Sequence, residues 1–309
     1  MNISVVIVNW NVRDLLARCL ASVEAEARGF PGRVDTIVVD NASSDGSAVM
    51  VRGRFSIVTL IQNGTNRGFS AACNQGIRAS SGEAVLLLNP DAELQPGSLA
   101  ALADALERRP KVAVVGPRLL NADGSPQSSR RRFPTLATAF LESTILQSCF
   151  PDLPHLRRYY CLDRPDDLAQ AVDWLMGACL LLRRSALDEV GLLDERFFMY
   201  FEETDWCKRA QEADWRVLYQ PQAQVRHLAG QSSAQDLSRS HIYFTDSKAK
   251  YYAKHFGPVV GRLVRWLLML DYALRLAEEG VKLALGHKPA LRRERIAMYR
   301  AVLRWGLAR

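Results

Sequence analysis

The sequence predicts an α/β chain: a Rossmann-like, doubly wound mixed sheet followed by a C-terminal amphipathic helical appendage. Three observations carry that expectation. Short aliphatic and β-branched runs alternate with apolar-periodic segments through residues 1–120, the signature of strands and helices in turn. Unusual polar loops containing Asn9, Asp40, Asn66 and Asp91 follow the predicted strands, and sheets of this kind collect ligands at the carboxyl ends of their strands. From residue 256 onward the chain changes to long helical segments rich in arginine.

Residues 3–8 (ISVVIV) form a first buried strand, followed by the loop NWNVRD and a helix over 15–23. A second strand, 36–39, ends in DNASSDGS, and a third, 58–61, in NGTNRG before a helix over 69–79. Residues 84–88 make a fourth strand, stopped by Asn89-Pro90-Asp91. A helix over 98–107 and a strand over 112–115 then lead to a Gly-Pro turn. Residues 121–167 lose this regularity: turn formers, prolines and the run Arg130-Arg131-Arg132 predict an insertion, either a solvated loop or a substrate-facing one. Order returns at 172–183, in a helix within GLLDERFFMYFEETDWCKRA, and in strands over 216–219 and 224–227. Along 271–285 the charges Asp271, Arg275, Glu278, Glu279 and Lys282 share one helical face and Leu274, Leu276, Ala277, Val281 and Leu285 the other. That pattern suits an interfacial helix pair or a helical hairpin packed on the protein's own core or on a second copy. Arg262, Arg265 and Asp271 interrupt every apolar run that approaches the ~20 residues of a membrane span.

With 309 residues, 48% of them hydrophobic and 24% charged, the chain is long enough to bury a large core. Its net charge of +7 suits anionic partners: nucleic acid, lipid headgroups or phosphorylated small molecules. Six scattered cysteines form no C-x-x-C pair and no zinc-spaced cluster, which predicts inert thiols in a reducing cytoplasm. The N-terminus MNISVVIVNW reads as a strand rather than a signal peptide. The first strand-to-helix loop lacks glycine, which disfavours a dinucleotide or a nucleoside triphosphate there.

Chemistry concentrates in few places. Asp91, just past a buried strand, is placed to hold a divalent cation against a diphosphate, although alone it equally fits an ordinary turn. Asp40 and Asn41 can bond a nucleobase or ribose, or simply cap a helix. Asn66, Gly68 and Asn74 surround a helix start that suits phosphate or ribose, or form a turn and cap. Glu202, Glu203 and Asp205 open a helix behind the aromatic strip Phe197, Phe198, Tyr200 and Phe201. Their position is good helix design, and desolvation by the rings would also raise a carboxyl pKa into the range of a general base. His227 at a strand end can supply an imidazole to a cation or merely a hydrogen bond.

Taken in order, VVIVNWN, VVDNASSDGS, NRGFSAACNQGI, LLLNPDAEL, VDWLMGACLLLRR, and GLLDERFFMYFEETDW with VRHLAGQSS resemble the family-2 glycosyltransferases, rhamnosyltransferase-like members especially, over residues 1–235. The resemblance implies a GT-A fold with a donor-binding half at 1–120 and an acceptor-binding and catalytic half at 121–255; the basic helical tail at 256–309 lies beyond it and suits a membrane surface, the protein's own core or a second copy. It implies an inverting, metal-dependent transfer from a nucleoside-diphosphate sugar, with Mg²⁺ or Mn²⁺ as cofactor. Glu203 matches the catalytic base. Asn9, Asp40, Asn41, Asn66, Asn74, Asn89 and Asp91 fall on the donor side; Trp174, Gly177, Glu202 and Asp205 on the acceptor side; Asp91 and His227 on the metal. The implied donor is a dTDP- or UDP-sugar, dTDP-rhamnose first, and the acceptor a saccharide or lipid-linked saccharide of the cell envelope. A membrane surface or a second copy of the chain is the further partner that the tail suits, nucleic acid is not expected, and the expected setting is the cytoplasm or the inner face of its membrane. Two departures stand out: Asn89-Pro90-Asp91 replaces the usual Asp-x-Asp, and Glu203 replaces the more usual Asp. The competing readings are a catalytically inactive sugar- or lipid-binding relative and a sugar nucleotidyltransferase.

Overall fold

The structure, a computed structural model, describes residues 1–228, 230 and 233–308. Ala229, Gln231, Ser232 and Arg309 lie outside it, and with them part of VRHLAGQSS and the last residue of the basic tail. The chain divides into two units: Met1–Phe133 with Tyr160–Phe198 and Glu202–Ser232, and Pro134–Tyr159 with Met199–Phe201 and Ser233–Arg309.

In chain order the elements begin β1 (Ile3–Asn9), α1 (Arg13–Arg28), β2 (Val34–Asp40), α2 (Ser47–Arg54), β3 (Thr59–Gln62), α3 (Phe69–Ala79), β4 (Ala84–Leu88), β5 (Ala92–Leu94) and α4 (Ser98–Glu107). They continue with β6 (Val112–Leu120), β7 (Pro126–Gln127), β8 (Arg130–Arg131), α5 (Leu136–Leu141), α6 (Ile145–Cys149), α7 (Pro154–Tyr159), β9 (Gln170–Val172), β10 (Trp174–Leu175) and β11 (Cys179–Arg183). The remainder is α8 (Arg184–Val190), α9 (Glu202–Glu212), β12 (Arg216–His227), α10 (Leu237–Phe256), α11 (Pro258–Ala284) and α12 (Pro289–Leu307).

The first unit is built on one mixed sheet in the order β3-β2-β1-β4-β11-β6-β12-β5, with β7 on β6 and β9 on β12. β1, β2, β3 and β4 run parallel, and β11 enters antiparallel between β4 and β6. Their near-continuous aliphatic sequences follow from burial on both faces. Ile3, Val5 and Ile7 pack with Leu16, Leu20, Leu102 and Leu106 on one side, and Val6 and Val8 with Ala72, Ile77, Leu187 and Trp206 on the other. A Cβ on Gly76 would stand 2.2 Å from Val6 Cγ1, so only glycine lets α3 lie this close to β1.

The strand expected to stop before the Gly-Pro turn continues to Leu120, and the two strands expected over 216–219 and 224–227 are one, β12. One irregularity explains both. Pro117 has no N–H for the ladder, and the β6–β12 register slips beside it, jumping from Gln220 opposite Pro117 to Gln224 opposite Arg118. The arginine run is neither a solvated loop nor free to meet a ligand. Arg130 and Arg131 form β8 opposite Trp174 and Leu175 and are buried. Arg130 donates to the Pro165 carbonyl at 2.7 Å and lies over the Tyr219 ring; Arg131 lies over Tyr160, and Arg132 pairs with Asp173.

The second unit is helical, with α10, α11 and α12 packed on one another and α5 against α11. Its interior includes Tyr251, Tyr252, Val264, Leu268, Met269, Met298 and Val302. From residue 256 onward the chain is a pair of long helices, α11 and α12, packed on each other and on α10. The polar face of α11 turns inward: Asp271 and Glu279 are buried, paired respectively with Arg275 and with Arg292 and Arg295. Val264, Leu268, Met269 and Tyr272 of the same helix turn inward with them, while a second apolar stripe that includes Leu274 and Val281 is exposed.

Candidate active site

The carboxyl ends of β2, β1 and β4 lie side by side, Asn9 opposite Asp40 and Ile7 opposite Leu88. Asn9 donates from Nδ2 to Asp40 Oδ1 and to Ser43 Oγ, both at 3.0 Å, while its buried Oδ1 has no partner. Asp40 also accepts from the Ser43 N–H. The loop between them is strained, with Ala42 at φ 67°, a region that L residues with a Cβ avoid. Asn41 sends Nδ2 to Asn66 Oδ1 and the Gly68 carbonyl and receives Asn63 Nδ2 and the Arg67 N–H on Oδ1, so its amide fastens the loop 63–68. Asn66 in turn accepts from the Gly68 N–H. The start of α3 suits phosphate or ribose by its sequence, or a turn and cap. In the structure the Phe69 N–H donates to the Phe198 carbonyl and Ser70 Oγ to that of Phe197. Gly68 fits because it takes φ +87° and because a Cβ there would lie 2.7 Å from the Phe198 oxygen.

Past β4, Asp91 and His227 face each other across the β5–β12 ladder, in which His227 pairs with Ala92. Both are buried, with Asp91 Oδ1 3.4 Å from His227 Nε2 and Asn89 Nδ2 also 3.4 Å from that nitrogen. The tautomer follows from Gln127. Its Nε2 donates to Asn121 Oδ1 and to the His227 carbonyl, which turns Oε1 to His227 Nδ1 at 2.7 Å. Nδ1 therefore carries the proton and Nε2 presents a lone pair beside the carboxylate, the arrangement that metal-bound histidines use. Two ligand atoms about 2.1 Å from one Mg²⁺ and at right angles are ~3 Å apart, so the observed pair fits a single cation with little movement. Among the described residues no group of three His, Cys, Asp or Glu converges, so a cation here would take its other ligands from water or a diphosphate.

Glu202 and Glu203 open α9. Glu202 is buried and its Oε2 has no partner; Glu203 is half-buried, with the Thr204 N–H 3.4 Å from its Oε2. Both border a closed apolar pocket that includes Phe69, Leu87, Leu180, Leu182, Leu193 and Trp206. Burial pushes both carboxyl pKa values up, that of Glu202 well up, and the neighbouring Glu203 charge raises Glu202 further. Hydrogen bonds from the backbone, including that of Gly177, and the charge of Arg131 partly offset the rise at Glu203. Gly177 also joins the two clusters. It contacts Glu203, and the next residue, Ala178, accepts the Asn89 N–H at 2.9 Å. One segment between β10 and β11 therefore touches both the base candidate and the cation candidate.

Three predicted site residues have their polar groups engaged within the chain. Buried Asn74 donates to the Leu193 carbonyl and to Glu195 and accepts the Leu193 N–H. Buried Asp205 pairs with Arg209, which also holds the carbonyls of Val190 and Leu192. Trp174 Nε1 donates to the Arg132 carbonyl. Sequence reasoning missed Gln127, whose role depends on a contact 100 residues away in the chain. It also missed a cavity of about 300 Å³ inside the second unit, lined by Tyr200, His241, Phe244, Asp271, Tyr272 and Arg275 among others. Of these, Asp271 and Arg275 at helical spacing were the legible signal.

Comparisons with known proteins bear on the family and the fold. The sequence model described as Glycosyl transferase family 2 matches residues 4–191. Over 282 residues the chain is 33% identical to the N-acetylglucosaminyl-diphospho-decaprenol L-rhamnosyltransferase of Mycobacterium tuberculosis, covering 88% of this chain and 90% of that one. Among solved structures, a mannosyltransferase from Pyrobaculum calidifontis in complex with GDP-Man and Mn²⁺ superposes with a TM-score of 0.57 at 16% identity, over 97% of this chain and 84% of the other. GalNAc-T7 with UDP, GalNAc and Mn²⁺ gives 0.54 at 17% identity, over 73% of this chain and 43% of that one. The fold is thus of the GT-A type, and the chain belongs to glycosyl transferase family 2.

Proposed function

We propose that the chain transfers a hexose, with L-rhamnose the first candidate, from a nucleoside-diphosphate donor to a hydroxyl of a saccharide or lipid-linked saccharide, with inversion, in cell-envelope polysaccharide synthesis on the cytoplasmic side of the membrane. The observation that carries this reading is the pairing of Asp91 with the His227 Nε2 lone pair at the strand ends, joined through Gly177 and Ala178 to a carboxylate with a raised pKa. The 33% identity to an L-rhamnosyltransferase whose name specifies a diphospho-decaprenol-linked acceptor supports both the sugar and the acceptor class.

In this mechanism Glu203 takes the proton of the acceptor hydroxyl, whose oxygen bonds the anomeric carbon as the bond from that carbon to the donor phosphate breaks. The nucleoside diphosphate leaves from the opposite face, which inverts the configuration. Burial and the Glu203 charge raise the Glu202 pKa, which favours its neutral form beside the base. Asp91 and His227 would hold a Mg²⁺ or Mn²⁺ ion, which when bound supplies positive charge to the leaving diphosphate. Asp40 and the orphaned Asn9 Oδ1 are acceptors suited to ribose hydroxyls or a pyrimidine N–H.

A panel of dTDP- and UDP-sugars with and without Mn²⁺, read by thermal shift, tests donor binding. Glu203→Gln should leave that shift in place and lower turnover about 10²–10⁴-fold. Unchanged turnover would remove Glu203 from the mechanism. A parent enzyme that binds but never turns over any donor would favour an inactive, sugar-binding relative.

A further inference from the structure

Helix α11 buries one apolar face, with Val264, Leu268, Met269 and Tyr272, and carries a second apolar stripe on its outside. Val259, Leu263, Trp266, Leu270, Leu274 and Val281 recur at three-, four- and seven-residue spacing and are each 49–64% exposed. They lie on one stripe that runs ~33 Å along the helix at 1.5 Å per residue. The opposite face holds the ionised side chains Asp271 and Glu279, which are buried in pairs with arginines. A helix that already buries one apolar face and pairs its acids internally, yet leaves a second stripe of leucines and a tryptophan outside, has that stripe turned to a medium other than water.

The charge distribution identifies that medium. Residues 256–309 contain eleven Lys and Arg and four Asp and Glu, so the preceding 255 residues contain 29 of each and the entire +7 excess sits in this segment. Two copies docked through this face would bring like charges together, whereas anionic lipid headgroups compensate them. Arg262 borders the stripe, and Arg293, Arg300 and Arg304 are exposed on α12. Trp266 suits the headgroup boundary, where an amphipathic ring meets both phases. Among the described residues no helix is long and apolar enough to cross a membrane. With ion pairs on its inner face, α11 would lie in the plane of the surface.

We propose that the outer face of α11 docks on an anionic lipid bilayer, with Val259, Leu263, Trp266, Leu270, Leu274 and Val281 entering the headgroup layer. The inference does not depend on the transfer reaction, and its test reads no activity. The full chain is floated with vesicles of phosphatidylcholine alone or with 30% phosphatidylglycerol, alongside the double variant Leu263→Glu/Leu270→Glu and a control, Val49→Glu, which adds a charge at an exposed position on α2. The parent and the control should bind anionic vesicles at least tenfold better than neutral ones. The double variant should lose at least tenfold, with its circular dichroism and melting temperature unchanged because both positions are exposed. Trp266→Phe should remove most of the lipid-induced blue shift in tryptophan emission. Equal binding by parent and double variant would overturn the proposal. So would a parent that is dimeric without lipid and becomes monomeric in the double variant with no change in vesicle binding, which would assign the stripe to a second copy.

Discussion

Glu202→Gln separates the two adjacent carboxylates by a measurement that needs no substrate. Glu202 is buried with an unpartnered Oε2 in apolar surroundings, and its pKa is raised well above the ordinary 4.5 by burial and by the Glu203 charge. The folded chain therefore holds a proton that the unfolded chain releases above that value, so each pH unit above 4.5 costs the fold up to ~1.36 kcal/mol. Glutamine carries no such proton. The stability associated with Glu202 is fully present below pH 4.5 and is lost as pH rises through the folded-state pKa. The variant should accordingly gain on the parent by up to ~3 kcal/mol between pH 5 and pH 7. A constant offset of about 1–3 kcal/mol from burying the amide without a partner can shift both ends equally, so the slope carries the result. Urea unfolding of both proteins at pH 5, 6 and 7 measures it. A difference that stays flat, or that shrinks toward pH 7, would refute a protonated Glu202.

Asp91→Asn should abolish the Mn²⁺-dependent part of donor binding while leaving stability without metal within about 1 kcal/mol, since the shape is kept; a thermal shift with and without Mn²⁺ reads both. Gln127→Leu removes the acceptor that fixes the His227 tautomer and should weaken Mn²⁺ binding about 10–100-fold, measured by calorimetry; unchanged affinity would exclude His227 as a ligand in the described tautomer. Asn74→Ala breaks three buried hydrogen bonds to residues 193–195 and should cost about 2–4 kcal/mol in urea unfolding with donor affinity unchanged. Weakened donor affinity in a protein of normal stability would instead place Asn74 in the donor pocket.

Strand ends were the most legible part of the site, because a buried aliphatic run followed by a polar cluster marks both the strand and the position of its carboxyl end. Asn9, Asp40, Asn89 and Asp91 stand there. What the polar groups touch was not legible. Asn41, Asn66 and Asn74 have the composition of ligand-binding residues, and in the structure their amides bond their own loops and the 193–195 segment. Capping and ligand binding use the same side chains, and only the identity of the partner atom distinguishes them. The Gln127–His227 contact was hidden for a related reason: β7 has two residues, too few for any periodic signal, and the pairing depends on how β6 and β12 lie together.

The C-terminal helices mark where periodicity stops being informative. The spacing of Asp271, Arg275 and Glu279 against Leu274 and Val281 established two faces but not which one points inward. Hydrophobicity alone puts the leucines inside. In α11 each buried acid has an arginine to receive it, Arg275 one turn on and Arg292 and Arg295 on α12, so the polar face is satisfied within the unit. A buried ion pair of this kind is rarely a large net stabiliser, because desolvation offsets most of the attraction. The burial of Val264, Leu268, Met269 and Tyr272 orients this face inward, and the leucines left outside are the ones a lipid surface would accept. On that account, replacing the exposed leucines of α11 by polar residues should leave the melting temperature unchanged and affect only what the helix docks on.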